Sequence, residues 1–224
     1  YLEDYEARYE SYHKKDEKIP FDLEFFNRIT KGGLPNKTLN VALAGTGVGK
    51  SLFMCHFASS CLLQGKNVLY ITLEMAEEKI AERIDANLLD VNIKDITDLP
   101  RVLFENKVTK LAGRTQGQLI IKEYPTASAH SGHFKALLNE LALKKSFRPD
   151  IIFVDYLNIC ASSRYRGTIG VNSYSYIKAI AEELRGLAVE TNVPIVSATQ
   201  TTRAGFGSSD VDITDTSESF GLPA

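Results

Sequence analysis

The chain has 224 residues, 44% hydrophobic and 24% charged, with a formal net charge of −2. That is ample for one α/β domain with its own core and too short for two large ones. The charge balance also excludes a global attraction to nucleic acid, so any such contact must come from local basic loops. No apolar run approaches the ~20 residues of a membrane span and no signal peptide is visible, so the expectation is a soluble, cytoplasmic protein. Cys55, Cys61 and Cys160 sit in apolar helix or strand patterns without metal-ligand spacing, as reduced core residues. Opening on Tyr1 and stopping after Gly221-Leu-Pro-Ala224, the chain reads as a fragment cut or processed at both ends.

In chain order, residues 1–17 carry Leu2, Tyr5, Tyr9 and Tyr12 as an apolar stripe on an otherwise charged helix, which needs a partner surface. A short helix over Phe21 to Thr30 should end at Lys31-Gly32-Gly33, with the glycines as C-cap and turn. Strands are expected at 39–44, 67–73, 118–122, 150–155 and 193–199, with helices near 49–64, 76–88, 99–113, 132–145 and 173–190. Apolar strands alternating with helices imply a mainly parallel sheet covered on both faces. In the last helix Ile177, Ile180, Ala181, Leu184, Leu187 and Ala188 share one face, a core-packing pattern.

The first of those strands runs into Ala44-Gly-Thr-Gly-Val-Gly49-Lys50-Ser51, which fits G-x-x-x-x-G-K-[ST] with Ala44 in the first glycine place. Gly45, Gly47 and Gly49 permit a tight turn whose N–H groups point inward at phosphate oxygens, with Thr46 and Val48 between them, at the positive end of the following helix. Lys50 neutralises the β and γ phosphates, and Ser51 offers a hydroxyl to Mg²⁺, which keeps several waters and needs few protein ligands. The chain therefore reads as a nucleotide-driven machine.

Three further strands end in polar groups, where a doubly wound sheet places its ligands. Arg148-Pro-Asp-Ile-Ile-Phe-Val-Asp155 ends in a carboxylate suited to a water-mediated magnesium contact; a structural Asp capping the next turn is the alternative. Glu74 follows the strand Asn67-Val-Leu-Tyr-Ile-Thr-Leu73 and is a candidate to orient and polarise the attacking water. It also reads as an acid favourable to the helix beginning near Ala76. Val193-Pro-Ile-Val-Ser-Ala-Thr199 delivers Gln200, an uncharged amide able to sense a γ-phosphate, or a loop glutamine with no role.

The phosphate loop at 44–51, Thr72-Leu-Glu-Met75, Val154-Asp-Tyr-Leu157 and Ala198-Thr-Gln200 arrive in the order found in DnaB-like replicative helicases. The chain resembles their RecA-type motor over about residues 20–224, and looks most like the T-even-type phage members. Glu74-Met-Ala-Glu-Glu78, Arg83-Ile-Asp-Ala-Asn87 and Ala179-Ile-Ala-Glu-Glu-Leu184 carry that closer match. The resemblance implies a RecA-like P-loop NTPase using ATP and Mg²⁺, and a hexameric ring moving five-prime to three-prime on single-stranded DNA, with primase and helicase loader as partners. It also implies that residues 1–19 form a linker helix docking on a neighbouring subunit; the stripe alone does not say whose surface it meets, and folding back onto its own domain is the alternative. In relatives an arginine finger lies on a strand beyond this chain's end, which implies a fragment that binds nucleotide and hydrolyses it feebly.

Two loops are candidates to face DNA. Ser162-Ser-Arg164-Tyr-Arg166-Gly-Thr-Ile-Gly170 follows the metal strand and, as the resemblance implies, faces the hole of the ring, and Thr201-Thr-Arg203-Ala-Gly-Phe-Gly-Ser-Ser-Asp210 follows Gln200; the resemblance also implies that Ser217, Glu218 and Ser219 lie near DNA, as weaker candidates. Arg164, Arg166 and Arg203 would grip backbone phosphates, although exposed arginines usually only solvate a surface. A RecA-type recombinase, a nucleotide-gated assembly ATPase and a small-molecule kinase share the phosphate chemistry and remain as alternatives.

Overall fold

The coordinates are a computed structural model and describe residues 3–13, 17–165 and 173–200. Helix α1 (Tyr5–His13) comes first, followed by strand β1 (Lys18–Ile19), helix α2 (Glu24–Ile29) and strand β2 (Leu34–Pro35). The repeating part then runs β3 (Leu39–Ala44), α3 (Lys50–Leu63), β4 (Val68–Thr72), α4 (Glu77–Leu88), α5 (Arg101–Ala112), β5 (Leu119–Glu123), α6 (Ser131–Lys145), β6 (Ile151–Asp155), α7 (Ser173–Thr191) and β7 (Ile195–Gln200). A single 3-10 turn, Leu157–Ile159, follows β6.

The expected strands and helices are all present, most with ends shifted by one or two residues. The last strand starts at Ile195 because Pro194 has no N–H to give a ladder and the Val193 amide still bonds to Ala188 O at 3.3 Å. The helix expected over Phe21 to Thr30 begins only at Glu24. The Asn27 side chain accepts from Phe21 N at 2.8 Å and donates to Phe21 O at 2.6 Å, pinning that residue as a turn outside the helix.

The small antiparallel pair of β1 and β2 carries no alternation long enough to be read from sequence. It depends on Gly33, whose φ of +122° and position leave no room for a side chain: a Cβ there would lie 2.2 Å from Ile19 O. Lys18–Ile19, read from sequence as part of the leader, are joined by this pairing to Leu34–Pro35.

Five strands form one parallel sheet in the order β3-β7-β6-β4-β5. Every residue of β4 and β6 is buried, as continuous apolar runs between two helical layers require. Leu69, Ile71, Ile152 and Val154 face α6 and α7, where they meet Phe134, Leu137, Ile177, Ile180 and Leu184. Val68, Tyr70, Ile151 and Phe153 face α3 and α4, against Met54, Phe57, Ile80 and Ile84. Each large apolar side chain so buried contributes about 1.5–3 kcal/mol before ordering costs. The whole core stripe expected on the last helix, Ile177 to Ala188, is buried.

Register brings the strand tips level. Ala44 pairs with Gln200 and Thr72 with Asp155, so the phosphate loop, Gln200, Asp155 and the turn after β4 share the carboxyl edge of the sheet. With β7 between β3 and β6, the tips of those two strands stand about 9.5 Å apart, two strand spacings.

Candidate nucleotide site at the carboxyl edge of the sheet

Between β3 and α3 the chain passes Gly47 at φ +75° and Gly49 at φ +106°, left-handed conformations that a side chain would strain. Gly49 is the N-cap of α3, no side chain caps it, and no acid lies in the first turn. The leading N–H groups of a 14-residue helix are thereby left without a side-chain acceptor, at the positive end of its dipole. Val48 stands exposed at the crest of the loop. Lys50 folds back over the loop and donates from Nζ to Ala44 O at 3.4 Å and Gly45 O at 3.0 Å, 6.0 Å from the centre of the Tyr156 ring. Partial burial lowers its pKa, and the charges of Glu74 and Asp155 oppose that shift.

Asp155 closes β6 as a fully buried carboxylate. Tyr70 donates to its Oδ2 at 2.9 Å, while Oδ1 is buried with no hydrogen-bond partner among the described residues. Burial raises the carboxyl's pKa above the ordinary range; the Ser51 and Tyr70 hydroxyls, then Arg83 and Lys50, pull it back. Among the described residues the side chain caps no turn. An orphaned carboxylate oxygen with a serine hydroxyl close by is a donor set that suits a hydrated Mg²⁺, which takes few ligands from protein.

Glu74 lies just beyond β4, exposed, and close enough to Lys50 to act on its charge. It falls outside α4, whose N-cap is Ala76 and whose first turn already carries the acids Glu77 and Glu78. Gln200, at the end of β7, donates from Nε2 to the Tyr156 hydroxyl at 3.2 Å, and Thr46 Oγ1 donates to its Oε1 at 3.5 Å. The amide therefore bridges the phosphate loop and the turn after Asp155.

Of the arginines expected at DNA, Arg164 is described, whereas Arg166 and Arg203 lie outside the described residues, as do Ser217, Glu218 and Ser219. The Arg164 guanidinium is paired with Glu182 on α7. Glu183, next in sequence, gathers the root of that loop: it accepts from Ser162 Oγ at 2.6 Å, Ser131 Oγ at 3.0 Å and the Ser163 amide at 3.0 Å. The candidates thus fall into two places: Lys50, Ser51, Glu74, Asp155 and Gln200 at the carboxyl edge of the sheet, and Arg164 on a loop anchored to α7.

Two tyrosines join the site without having been assigned a role from sequence. Tyr156 contacts both Lys50 and Gln200, and its signal was its place directly after the acid of β6. Tyr70 is a hydroxyl inside a strand buried on both faces, a polar group that must find a partner. The three cysteines are buried free thiols; burial pushes Cys55 up to about 11 and Cys61 up to about 12, far from the reactive range. Cys55 and Cys61 lie in α3, but Cys160 sits just after the 3-10 turn rather than inside a helix or strand.

A parallel sheet, five-stranded among the described residues, with a phosphate loop after β3 and an acid at the tip of β6 defines a RecA-like P-loop NTPase domain. Comparison with known proteins narrows the class. The model of the DnaB-like helicase C terminal domain matches residues 19–210. The DnaB-like replicative helicase of Enterobacteria phage T4 is 52% identical over the whole of this chain, which spans 48% of that relative. A solved DnaB-like replicative helicase, described together with its interactions with primase, superposes with a TM-score of 0.73 at 19% identity, covering 95% of this chain and 53% of that one. A second solved structure, an ATPase domain, gives the same TM-score at 18% identity, covering 97% and 76%. These two solved structures bear on the fold alone. The chain belongs to the DnaB-like helicase C-terminal domain family, and it spans about half the length of its phage T4 relative.

Proposed function

We propose that this domain is the ATP-driven motor of a replicative DNA helicase, moving five-prime to three-prime on single-stranded DNA as a ring of like subunits and opening duplex at the fork. The observation that carries the reading is the convergence of Lys50, Ser51, Asp155, Glu74 and Gln200 on one sheet edge, in a chain of this family. Amides from Ala44 to Ser51 receive the phosphates, and Lys50 exchanges the carbonyls of Ala44 and Gly45 for phosphate oxygens. Ser51 and Asp155 Oδ1 would hold Mg²⁺, which when bound would supply positive charge to offset that of the phosphates. Glu74 orients a water and takes up its proton as oxygen attacks phosphorus and the bond to the leaving ADP breaks.

Gln200 reports occupancy. Its bonds to Thr46 and Tyr156 tie the phosphate loop to the segment leading to Arg164, so a lost γ-phosphate contact can be passed to a DNA-holding loop. Arg164, Arg166 and Arg203 are the proposed phosphate grips; for Arg164 a DNA phosphate must outcompete Glu182. In the intact protein, Arg164→Ala is expected to weaken single-strand binding and reduce the slope of log affinity against log salt by about 0.7, the value of one phosphate contact. An unchanged slope in a fluorescence-anisotropy titration would remove Arg164 from the interface. The reading as a whole is tested by single-strand-stimulated ATP hydrolysis and unwinding by the intact protein, and absence of both would refute it.

The ring reading draws support from α1. Tyr5, Tyr9 and Tyr12 are 63%, 64% and 74% exposed, so no described part of their own domain covers them. Val102, Leu103 and Val108 on α5 are likewise uncovered. Apolar side chains left open on two elements of one chain suit a second copy; burying several would contribute a few kcal/mol before ordering costs. Leu2, the first member of the stripe, lies outside the described residues. Tyr5→Glu with Tyr9→Glu should shift sedimentation velocity profiles toward smaller species in the presence of nucleotide, and an unshifted profile would count against the handle. Primase, a loader and the host cytoplasm complete the proposal. Among the described residues no helix is long and apolar enough to cross a membrane.

The recombinase, assembly-ATPase and kinase readings explain the phosphate loop equally well, but the family match over residues 19–210 does not favour them.

A further inference from the structure

The carboxylate of Asp155 accepts a hydrogen bond from the Tyr70 hydroxyl, out of the core of the sheet. Tyr70 lies at the centre of β4, wholly buried, its ring stacked on Phe153 with centroids 5.6 Å apart and planes 11° from parallel. Register explains its reach. Tyr70 stands opposite Phe153 and Thr72 opposite Asp155, so a ring leaning along the sheet spans one two-residue repeat, about 6.6 Å, and arrives at the acid. The phenol donates to Oδ2 at 2.9 Å, and the Cys55 thiol donates in turn to the phenol oxygen at 3.8 Å.

The surroundings make this hydroxyl costly unless it is paired. Met54, Phe57, Val68, Ile151, Phe153 and Val196 belong to the same apolar cluster, and a buried hydroxyl without a partner costs about 1–3 kcal/mol. A phenylalanine would fill the same space without that cost. With the phenol in place, one oxygen of Asp155 is committed to the protein and the other has no hydrogen-bond partner among the described residues.

We propose that Tyr70 is a positioning residue for the magnesium chemistry: it fixes Asp155 so that Oδ2 is occupied and Oδ1 is presented to the water shell of the metal. This rests on the nucleotide-site reading above and adds to it a residue that touches neither nucleotide nor metal. Partners that orient a metal-binding side chain typically cost about 10–100-fold in metal affinity when removed. The lower end is expected here, because Asp155 would act through water.

The test is Tyr70→Phe in the intact protein, titrated with a fluorescent ATP analogue in excess EDTA and then with Mg²⁺ at fixed nucleotide. The Mg²⁺ concentration giving half of the metal-dependent binding should rise about tenfold, while metal-free nucleotide affinity stays within about twofold of the parent. Turnover lost at low Mg²⁺ should return as Mg²⁺ is raised. An unchanged Mg²⁺ dependence overturns the proposal. So does equal loss of metal-free binding, or of the fold, since the hydroxyl would then serve packing. A parent protein that shows no Mg²⁺-dependent nucleotide binding would instead refute the functional reading itself, so the two failures are distinguishable.

Discussion

Lys50→Ala should weaken binding of the magnesium–ATP complex by roughly 10–100-fold and leave the fold intact. In the structure Lys50 is held over the loop by two carbonyls, Ala44 O and Gly45 O, with the negative charges of Glu74 and Asp155 acting on it. Those charges would also repel a polyanion, so the ammonium must offset them when phosphates arrive. A hydrogen bond to a charged group is worth about 1.5–3 kcal/mol, the source of the expected loss. The side chain is only partly buried and the carbonyls it leaves lie at an open loop, so the cost to stability should be small. Equilibrium nucleotide titration checks the first part and thermal unfolding the second. A variant that binds normally would show that the phosphates sit elsewhere, and one that unfolds would make the loop a structural element.

Glu74→Gln should have the opposite signature, with binding preserved and hydrolysis lost. The change keeps side-chain shape and removes the charge and basicity needed to take a proton from water; general-base catalysis contributes about 10²–10⁴ in rate. Glu74 is exposed and lies outside α4, so neither core packing nor helix capping depends on it. Single-turnover hydrolysis in the assembled, DNA-bound protein should fall by that factor, with nucleotide affinity unchanged or tighter. A rate within about twofold of the parent would assign the water-orienting role to another group.

Much of this site was legible from residue order. A glycine-rich turn between an apolar strand and a helix has few uses when it ends in Lys50-Ser51, and an acid at the end of an all-apolar strand, as in Asp155, must lie at the ligand-bearing edge. Strand positions were legible because β4 and β6 are apolar on both faces. Less visible was what depends on contacts across the sheet. Tyr70 precedes Asp155 by 85 residues, and their bond exists only because β4 and β6 are neighbours in a given register. The β1 and β2 pair is two residues per strand and rests on the close approach of Gly33 to Ile19, for which local periodicity carries no signal. Arg164 was legible as a cation on a loop, but its pairing with Glu182 required α7 to pass beside that loop.

The proposed motor needs one arrangement: a triphosphate against the uncapped start of α3, between Lys50 on one side and Asp155 and Glu74 on the other. A crystal structure of the protein with a non-hydrolysable ATP analogue and Mg²⁺ tests it most directly. The β and γ phosphates should lie within hydrogen-bond distance of the amides preceding Lys50, the Lys50 ammonium should have moved from the carbonyls of Ala44 and Gly45 onto phosphate, and the metal's water shell should rest against Ser51 and Asp155. Nucleotide bound elsewhere, or Lys50 still resting on those carbonyls with phosphate present, would contradict it.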